Sequence, residues 1–219
     1  MSGSGPRLRG RQAEARRNDV RILEAALDVF AVDLSAPMSA VARRAGVGQA
    51  SLYRRYPTKE TLLAQVCERG MARMKEAAQA ALAEDDPGAA VGDFLRWYVD
   101  SGTLRLTGLL GSFTPPAPLF SLARDANRAM QALVDRAVAV GAIRPDVTGA
   151  DLTLIATQIN ALDREDTHRT RALRHRYATL ALQALALTDA PELPGPPPDA
   201  DELEAPWRTL QPPGPDAAG

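Results

Sequence analysis

The chain has 219 residues, 45% of them hydrophobic, and 26 Lys and Arg against 27 Asp and Glu leave a net charge of −1. That length holds one or two domains with a substantial core. No uninterrupted apolar run is long enough to cross a bilayer and no hydrophobic segment follows the Arg-rich start, so neither a membrane anchor nor a secretory signal is expected. The single cysteine, Cys67, cannot close an internal disulfide, which fits a reducing, cytoplasmic setting.

The near-neutral total hides an asymmetry. Through residue 60 there are eleven Lys and Arg against six Asp and Glu, a net of +5, and the remaining fifteen against twenty-one give −6. A positive end on a neutral chain is the electrostatic footprint of a nucleic-acid reader.

Residues 1–17 are rich in Gly and Arg and nearly without large apolar side chains, the composition of a basic arm that is disordered when free. Such an arm either lies along phosphates or in the minor groove of DNA, or it only solubilises the chain. From Asn18, a candidate cap, Ile22, Ala26, Val29 and Phe30 recur at helical spacing and predict the first helix.

Residues 37–59, PMSAVARRAGVGQASLYRRYPTK, read as a helix, a tight turn and a second helix. Pro37 and Ser39 supply the start signal, since Pro suits the first helical positions and a Ser hydroxyl accepts from an orphan N–H. Val41, Ala42 and Ala45 form an apolar side, with Arg43 and Arg44 outward. Gly46 ends the helix because it turns left-handed without a Cβ clash, and Val47 plugs the gap between the two helices. The second helix starts at Gly48 or Gln49 and runs to about Tyr56, stopped by Pro57 and too short to stand alone. Leu52 faces the core, which leaves Gln49, Ala50, Ser51, Tyr53, Arg54 and Arg55 outside. That set suits duplex DNA: Gln pairs with an adenine edge, Ser and Tyr hydroxyls reach phosphates, and Arg serves guanine or the backbone. Taken alone, the Ala-Gly-Val turn fits equally well a helical corner with a solvated basic face.

Thr58 caps a long helix reaching about Ala83, with Leu62, Leu63, Val66, Met71 and Met74 inward. Lys59 near its start opposes the helix dipole, a cost offset if a DNA phosphate binds there. Asp85-Asp86-Pro87-Gly88 breaks this helix. A helix from about Ala89 to Asp100 carries Phe94, Trp97 and Tyr98, a short one spans Thr103 to Leu110, and Gly111 to Pro118 is a loop. Phe120 to Val140 follows as a helix through Leu122, Ala126, Met130, Leu133 and Val134, ended by Gly141. Thr148 with Asp151 reads as a capping box. Leu152, Ile155, Ile159 and Leu162 then step by three and four, as do Leu173, Tyr177, Leu180, Ala184 and Leu187. Seams of this regularity suit helices packed at a shallow angle, either between two copies or within one core. Residues 191–219 are Pro-rich and acidic and expected to be mostly disordered, with Leu203, Trp207 and Leu210 able to dock a short piece.

Catalysis finds no support. His168 and His175 are seven apart rather than the four that one-turn metal pairs prefer, and no nucleophile–base signature or Gly-rich phosphate loop is present. No catalytic residue, metal or cofactor is expected.

Phe30, Ala45-Gly46-Val47, Gly48-Gln49-Ala50, Ser51-Leu52-Tyr53, Tyr56 and Lys59-Glu60-Thr61-Leu62-Leu63 stand together in one register. Over about residues 18–71 the chain thereby resembles the TetR family of transcriptional regulators. Two departures stand out: Asp33 takes the place of a usual Gly after the first helix, and Gly48 replaces the common Ser or Thr cap, removing a phosphate contact. The resemblance implies an all-α fold, with an N-terminal three-helix helix-turn-helix DNA-binding domain over 18–64 and a larger helical effector-binding and dimerisation domain over 65–190. It implies a ligand-responsive repressor, a homodimer on a pseudo-palindromic double-stranded DNA operator. Ser39, Arg43, Gly48, Gln49, Ala50, Ser51, Tyr53, Arg54, Arg55, Tyr56 and Lys59 would then meet DNA, and the two late seams would form the dimer bundle. The larger domain would enclose a small-molecule effector, with Trp97, Phe113, Phe120 and Gln158 as pocket candidates. The alternative is a DNA-associated interaction protein whose large domain binds a protein partner.

Overall fold

The computed structural model describes residues 5–109, 112–199 and 202. Among them the chain forms eight α-helices and one 3-10 helix with no strand, the all-α architecture expected.

Helix α1 spans Gly5–Phe30, so the expected start at Asn18, preceded by a free arm, is corrected: Asn18 lies in mid-helix. Pro6 falls in the first turn, where its missing N–H has no intrahelical partner to lose, and the Arg, Gln, Glu and Ala that follow are good helix formers. Low hydrophobicity argues against burial, but a helix propagating outward from a packed stretch needs no new nucleus. Helix α2 (Met38–Ala45) is preceded by Pro37 in an extended conformation, with no side-chain cap. Ser39 therefore sits inside the helix rather than capping it. Gly46 closes α2 at φ 65°, ψ 39°, its N–H directed to the Ala42 and Arg43 carbonyls, as its lack of Cβ allows. Helix α3 covers Gln49–Arg55. Helix α4 (Lys59–Leu82) starts at Thr58, whose hydroxyl accepts from the Thr61 N–H at 3.1 Å.

Helix α5 (Pro87–Asp100) is capped by Asp86, which accepts from the Gly88 and Ala89 N–H groups. The 3-10 helix η1 spans Thr103–Gly108, followed by α6 (Ala117–Ala139), with Gly141 at φ 69° just beyond its end. The expected capping box opens α7 (Gly149–Asn160): Thr148 accepts from the Asp151 N–H and Asp151 from that of Thr148. Helix α8 (Thr167–Leu185) is capped by Asp166.

Two apolar clusters hold these helices. One joins Ile22, Phe30, Val41, Leu52 and Leu62 with Leu106 of η1 and Leu119 and Ala123 of α6. The other packs Met74 of α4 against Phe94, Leu95, Met130, Leu133 and Leu152. Helix α4 feeds both, through Leu62, Leu63, Val66 and Cys67 at one end and Met74, Ala78 and Ala81 at the other, so displacement of one cluster is felt by the other.

The late seams divide in a way their spacing left open. Leu152 and Ile159 pack in the chain's own core, at 0 and 6% exposure. Helix α8 turns Thr170, Ala178 and Leu185 inward and leaves Tyr177 and Leu180 at 47 and 48% exposure, with Leu187 just beyond its end at 59%. Steps of three and four show which residues share a face but not which face meets the chain itself. Beyond α8 the tail is held at its start: Arg144 donates to the Pro191 carbonyl at 2.7 Å, and Asp146 accepts from the Leu193 N–H at 2.7 Å. Disorder from residue 191 onward is corrected to that extent. Met1 to Ser4, Leu203, Trp207 and Leu210 lie outside the described residues.

Candidate nucleic-acid interface

Helix α3 has one buried residue, Leu52, and this single anchor fixes what the helix shows to solvent. Gln49, Ala50, Tyr53 and Arg54 are exposed, and Ser51 is half-buried. Val47 packs against the N-terminal core as the expected plug. Gly48 leads into α3 at φ −67° with open space around a would-be Cβ, so its backbone does not require glycine. Gly46 does, because its φ of 65° is left-handed. Arg21 donates from Nη2 to the Ala45 carbonyl at 2.6 Å, a cation at the C-terminal end of α2 where the dipole favours it.

Three predicted contact residues are placed otherwise. Tyr56 is 7% exposed and belongs to the N-terminal core, because the backbone leaves the helical region at φ −126°, ψ 86° just after α3. Burial pushes its hydroxyl pKa up, with the Asp19 charge adding to the shift. Lys59 donates its ammonium to the Leu34 carbonyl and, at 3.4 Å, to that of Ala36, and sits 4.7 Å over the Phe30 ring. In the free chain the unfavourable dipole position is thus offset by two carbonyls and a π face. Arg55, half-buried, pairs with Asp19 of α1. Arg43 and Arg54 are exposed with no ion-pair partner among the described residues.

Sequence reading missed the part α1 plays. Asp19 holds Arg55, Arg21 holds the end of α2, and Asp28 accepts from Arg44 at 2.8 Å. Some of the arginines counted in the net +5 are therefore paired inside the domain. The only signal was their helical phase: Arg21 and Asp28, seven apart, lie on one face of α1.

A seven-residue helix anchored by one leucine, joined by a left-handed glycine to a preceding helix and opening Gln, Tyr and Arg to solvent, has the build of a DNA reader. Residues 22–66 match the family model for bacterial regulatory proteins of the tetR family, and residues 86–187 match that of the SbtR-like transcriptional regulator C-terminal domain. A TetR transcriptional regulator from Streptomyces coelicolor is 30% identical, with 77% of this chain and 98% of that one covered and a TM-score of 0.59. The TetR transcription regulatory protein from Mycobacterium vanbaalenii is also 30% identical, covering 80% and 99% at a TM-score of 0.56. This chain belongs to the TetR family.

As a TetR regulator it is a DNA-binding transcription factor, not an enzyme, and α2 and α3 are its helix-turn-helix. The TetR-like regulator LfrR from Mycobacterium smegmatis, solved with proflavine, shares the fold at 22% identity, with 75% of this chain and 96% of that one covered and a TM-score of 0.55. No curated protein matches. No helix among the described residues is long and apolar enough to cross a membrane, and no group of His, Cys, Asp or Glu there could hold a metal ion.

The four effector candidates do not converge in this TetR regulator. Trp97 packs against the C-terminal cluster, its ring 5.8 Å from that of Phe94. Phe113 and Phe120 belong to the N-terminal cluster. Gln158 is exposed on α7, in an open groove of about 460 Å3 lined by Leu154, Ile155, Tyr177 and Leu180. Helical spacing could not bring them together because three separate helices and a loop carry them.

Proposed function

We propose that this regulator is a ligand-responsive repressor that binds a pseudo-palindromic operator as a homodimer. The observation that carries the reading is a division of exposed surface. One end offers Gln49, Tyr53 and Arg54 on a helix sized for the major groove, and the other leaves Leu154, Tyr177 and Leu180 uncovered on α7 and α8. Two copies related by a twofold axis would cover that apolar face and present two readers one or two helical turns apart. Within each half-site Gln49 would read a base edge, while Tyr53, Arg43 and Arg54 would secure the phosphates. A small-molecule effector is supported by LfrR, whose structure holds proflavine, and by the shared helix α4, through which a change in the larger core reaches the reader. Effector binding needs only unequal affinity for two reader spacings.

The test is selection of bound DNA from a random pool, with and without cell extract, combined with the sedimentation mass of the complex. The reading requires an inverted repeat bound by two chains, a relaxed base preference in Gln49→Ala, and release or weakening by a component of the extract. A single unrepeated site bound by one chain would overturn the dimeric repressor. A thermal-shift response to metabolites separates an effector pocket from a protein-docking domain, which would give none.

A further inference from the structure

One carboxylate of α1 stands between the reader and the larger part of the chain. Asp28 Oδ2 accepts from Arg44 Nη2 at 2.8 Å, and its Oδ1 accepts from Arg105 Nη1 at 2.8 Å. Arg44 lies on the last turn of α2 and Arg105 on η1. The Arg44 side chain is 62% exposed and those of Arg105 and Asp28 are 36 and 37% exposed, so water screens both pairs and neither is strong alone. What matters is the sharing: the two cations repel each other, so each is held with less net attraction than it would be without the other.

Arg44 stands beside Arg43 just before the turn into α3, on the first helix of the helix-turn-helix, which crosses the phosphate backbone when the second helix enters the groove. A DNA phosphate and Asp28 are then rival anions for the same guanidinium. We propose that Asp28 is a positioning residue that governs how far Arg44 is free to meet a phosphate, and that Arg105 governs how firmly Asp28 holds it. With η1 seated, Arg105 shares the carboxylate and its positive charge lowers the net pull on Arg44, so that a phosphate competes for that guanidinium more easily. With η1 drawn back, the repulsion from Arg105 is gone and Asp28 holds Arg44 more firmly, away from the backbone.

The segment carrying Arg105 is tied into both cores, with Leu104 in one apolar cluster and Leu106 in the other, so that movement of either core shifts it. It is a six-residue 3-10 helix, a geometry with poorer hydrogen bonds than an α-helix, and it is entered through Gly102 at φ 72°. It rests on α4 at Gly70, where even a Cβ would overlap Leu106 Cδ1. Just upstream, Asp100 accepts from Arg171 Nη2 at 3.1 Å and lies 2.9 Å from His175 Nε2, both on α8. A shift of α8 against α5 thus reaches η1 at one end and, through Arg105 and Asp28, α2 at the other.

This inference rests on the DNA-binding function and adds the route by which the larger domain acts on it. The test is a double-mutant cycle in the full chain, read as affinity for the operator selected from the random pool. R105Q lowers affinity by about threefold when Arg44 is present and has no effect in an R44Q background. R105K, which keeps the cation, stays within about twofold of the parent, and D28N abolishes the dependence on residue 105. R44Q flattens the salt dependence by about one charge. Equal melting temperatures among the variants exclude a folding defect as the cause. Equal losses from R105Q with and without Arg44 would overturn the inference while leaving the regulator intact. Failure of the parent to bind any DNA selectively would overturn both.

Discussion

Leu52→Ala tests whether one side chain seats the reader. Leu52 is fully buried and is the only buried residue of α3, a seven-residue helix too short to persist without tertiary support. Removing three buried carbons costs about 2–3 kcal/mol in transfer free energy, and the cavity left in the N-terminal cluster brings the total to about 3–4 kcal/mol. Urea unfolding followed by circular dichroism measures that loss. Amide exchange over residues 49–56 locates it, since detachment of α3 should accelerate exchange there before the rest of the domain opens. Leu52→Met, which conserves volume, should cost less than about 1.5 kcal/mol and retain operator binding. If Leu52→Ala lost less than about 1 kcal/mol and bound operator as the parent does, α3 would be held by something other than this contact and the account of the reader would be wrong.

Gly70→Ala should weaken operator binding despite lying away from α3, because the new methyl displaces Leu106 and with it η1. Overpacking of about 1–3 kcal/mol outweighs the helix-propensity gain of about 1 kcal/mol, and a raised melting temperature with unchanged binding would refute this. Leu180→Glu places a charge on the exposed apolar face of α8 and should convert the proposed dimer to monomers in sedimentation with the monomer fold intact; an unchanged mass would place any dimer contact elsewhere. The Arg144 guanidinium, with the Leu193 N–H, holds the Asp146 carboxyl well below the usual carboxylate range. Its contribution is therefore complete above the ordinary Asp range near about 3.9 and is lost as the pH falls through and below it. Asp146→Asn should lack that acid-side loss, and parallel pH–stability curves for parent and variant would contradict the pairing. Burial pushes the Cys67 thiol up to about 12, so a thiol reagent at pH 8 should label it no faster than the chain opens; prompt labelling of the native protein would show that the α4 core is not closed.

Much of this architecture was legible because the signals are local. The left-handed Gly46, Pro57 after α3, the Asp85–Gly88 break after α4 and the Thr148–Asp151 box each act within a few residues, so neighbouring side chains suffice to read them. The same holds for Leu52 against Gln49, Tyr53 and Arg54, since a helix this short has one inward position. Propensity overrode composition in α1, where Arg and Ala carried the helix back to Gly5 across a stretch too polar to predict a core.

Partners distant in sequence left no such trace. Lys59 and Leu34 are 25 residues apart, Arg55 and Asp19 are 36 apart, and Arg105 and Asp28 are 77 apart. Which cation finds which acceptor depends on how helices are stacked, and periodicity within one helix carries no information about its neighbour's phase. The sequence by itself therefore determined the order of the helices, their stops and the exposed face of α3. Only the tertiary structure decided that Leu152 and Ile159 turn inward while Tyr177 and Leu180 remain uncovered, and that Arg44 and Arg105 share one carboxylate, because burial and charge pairing are properties of packed surfaces rather than of any single segment.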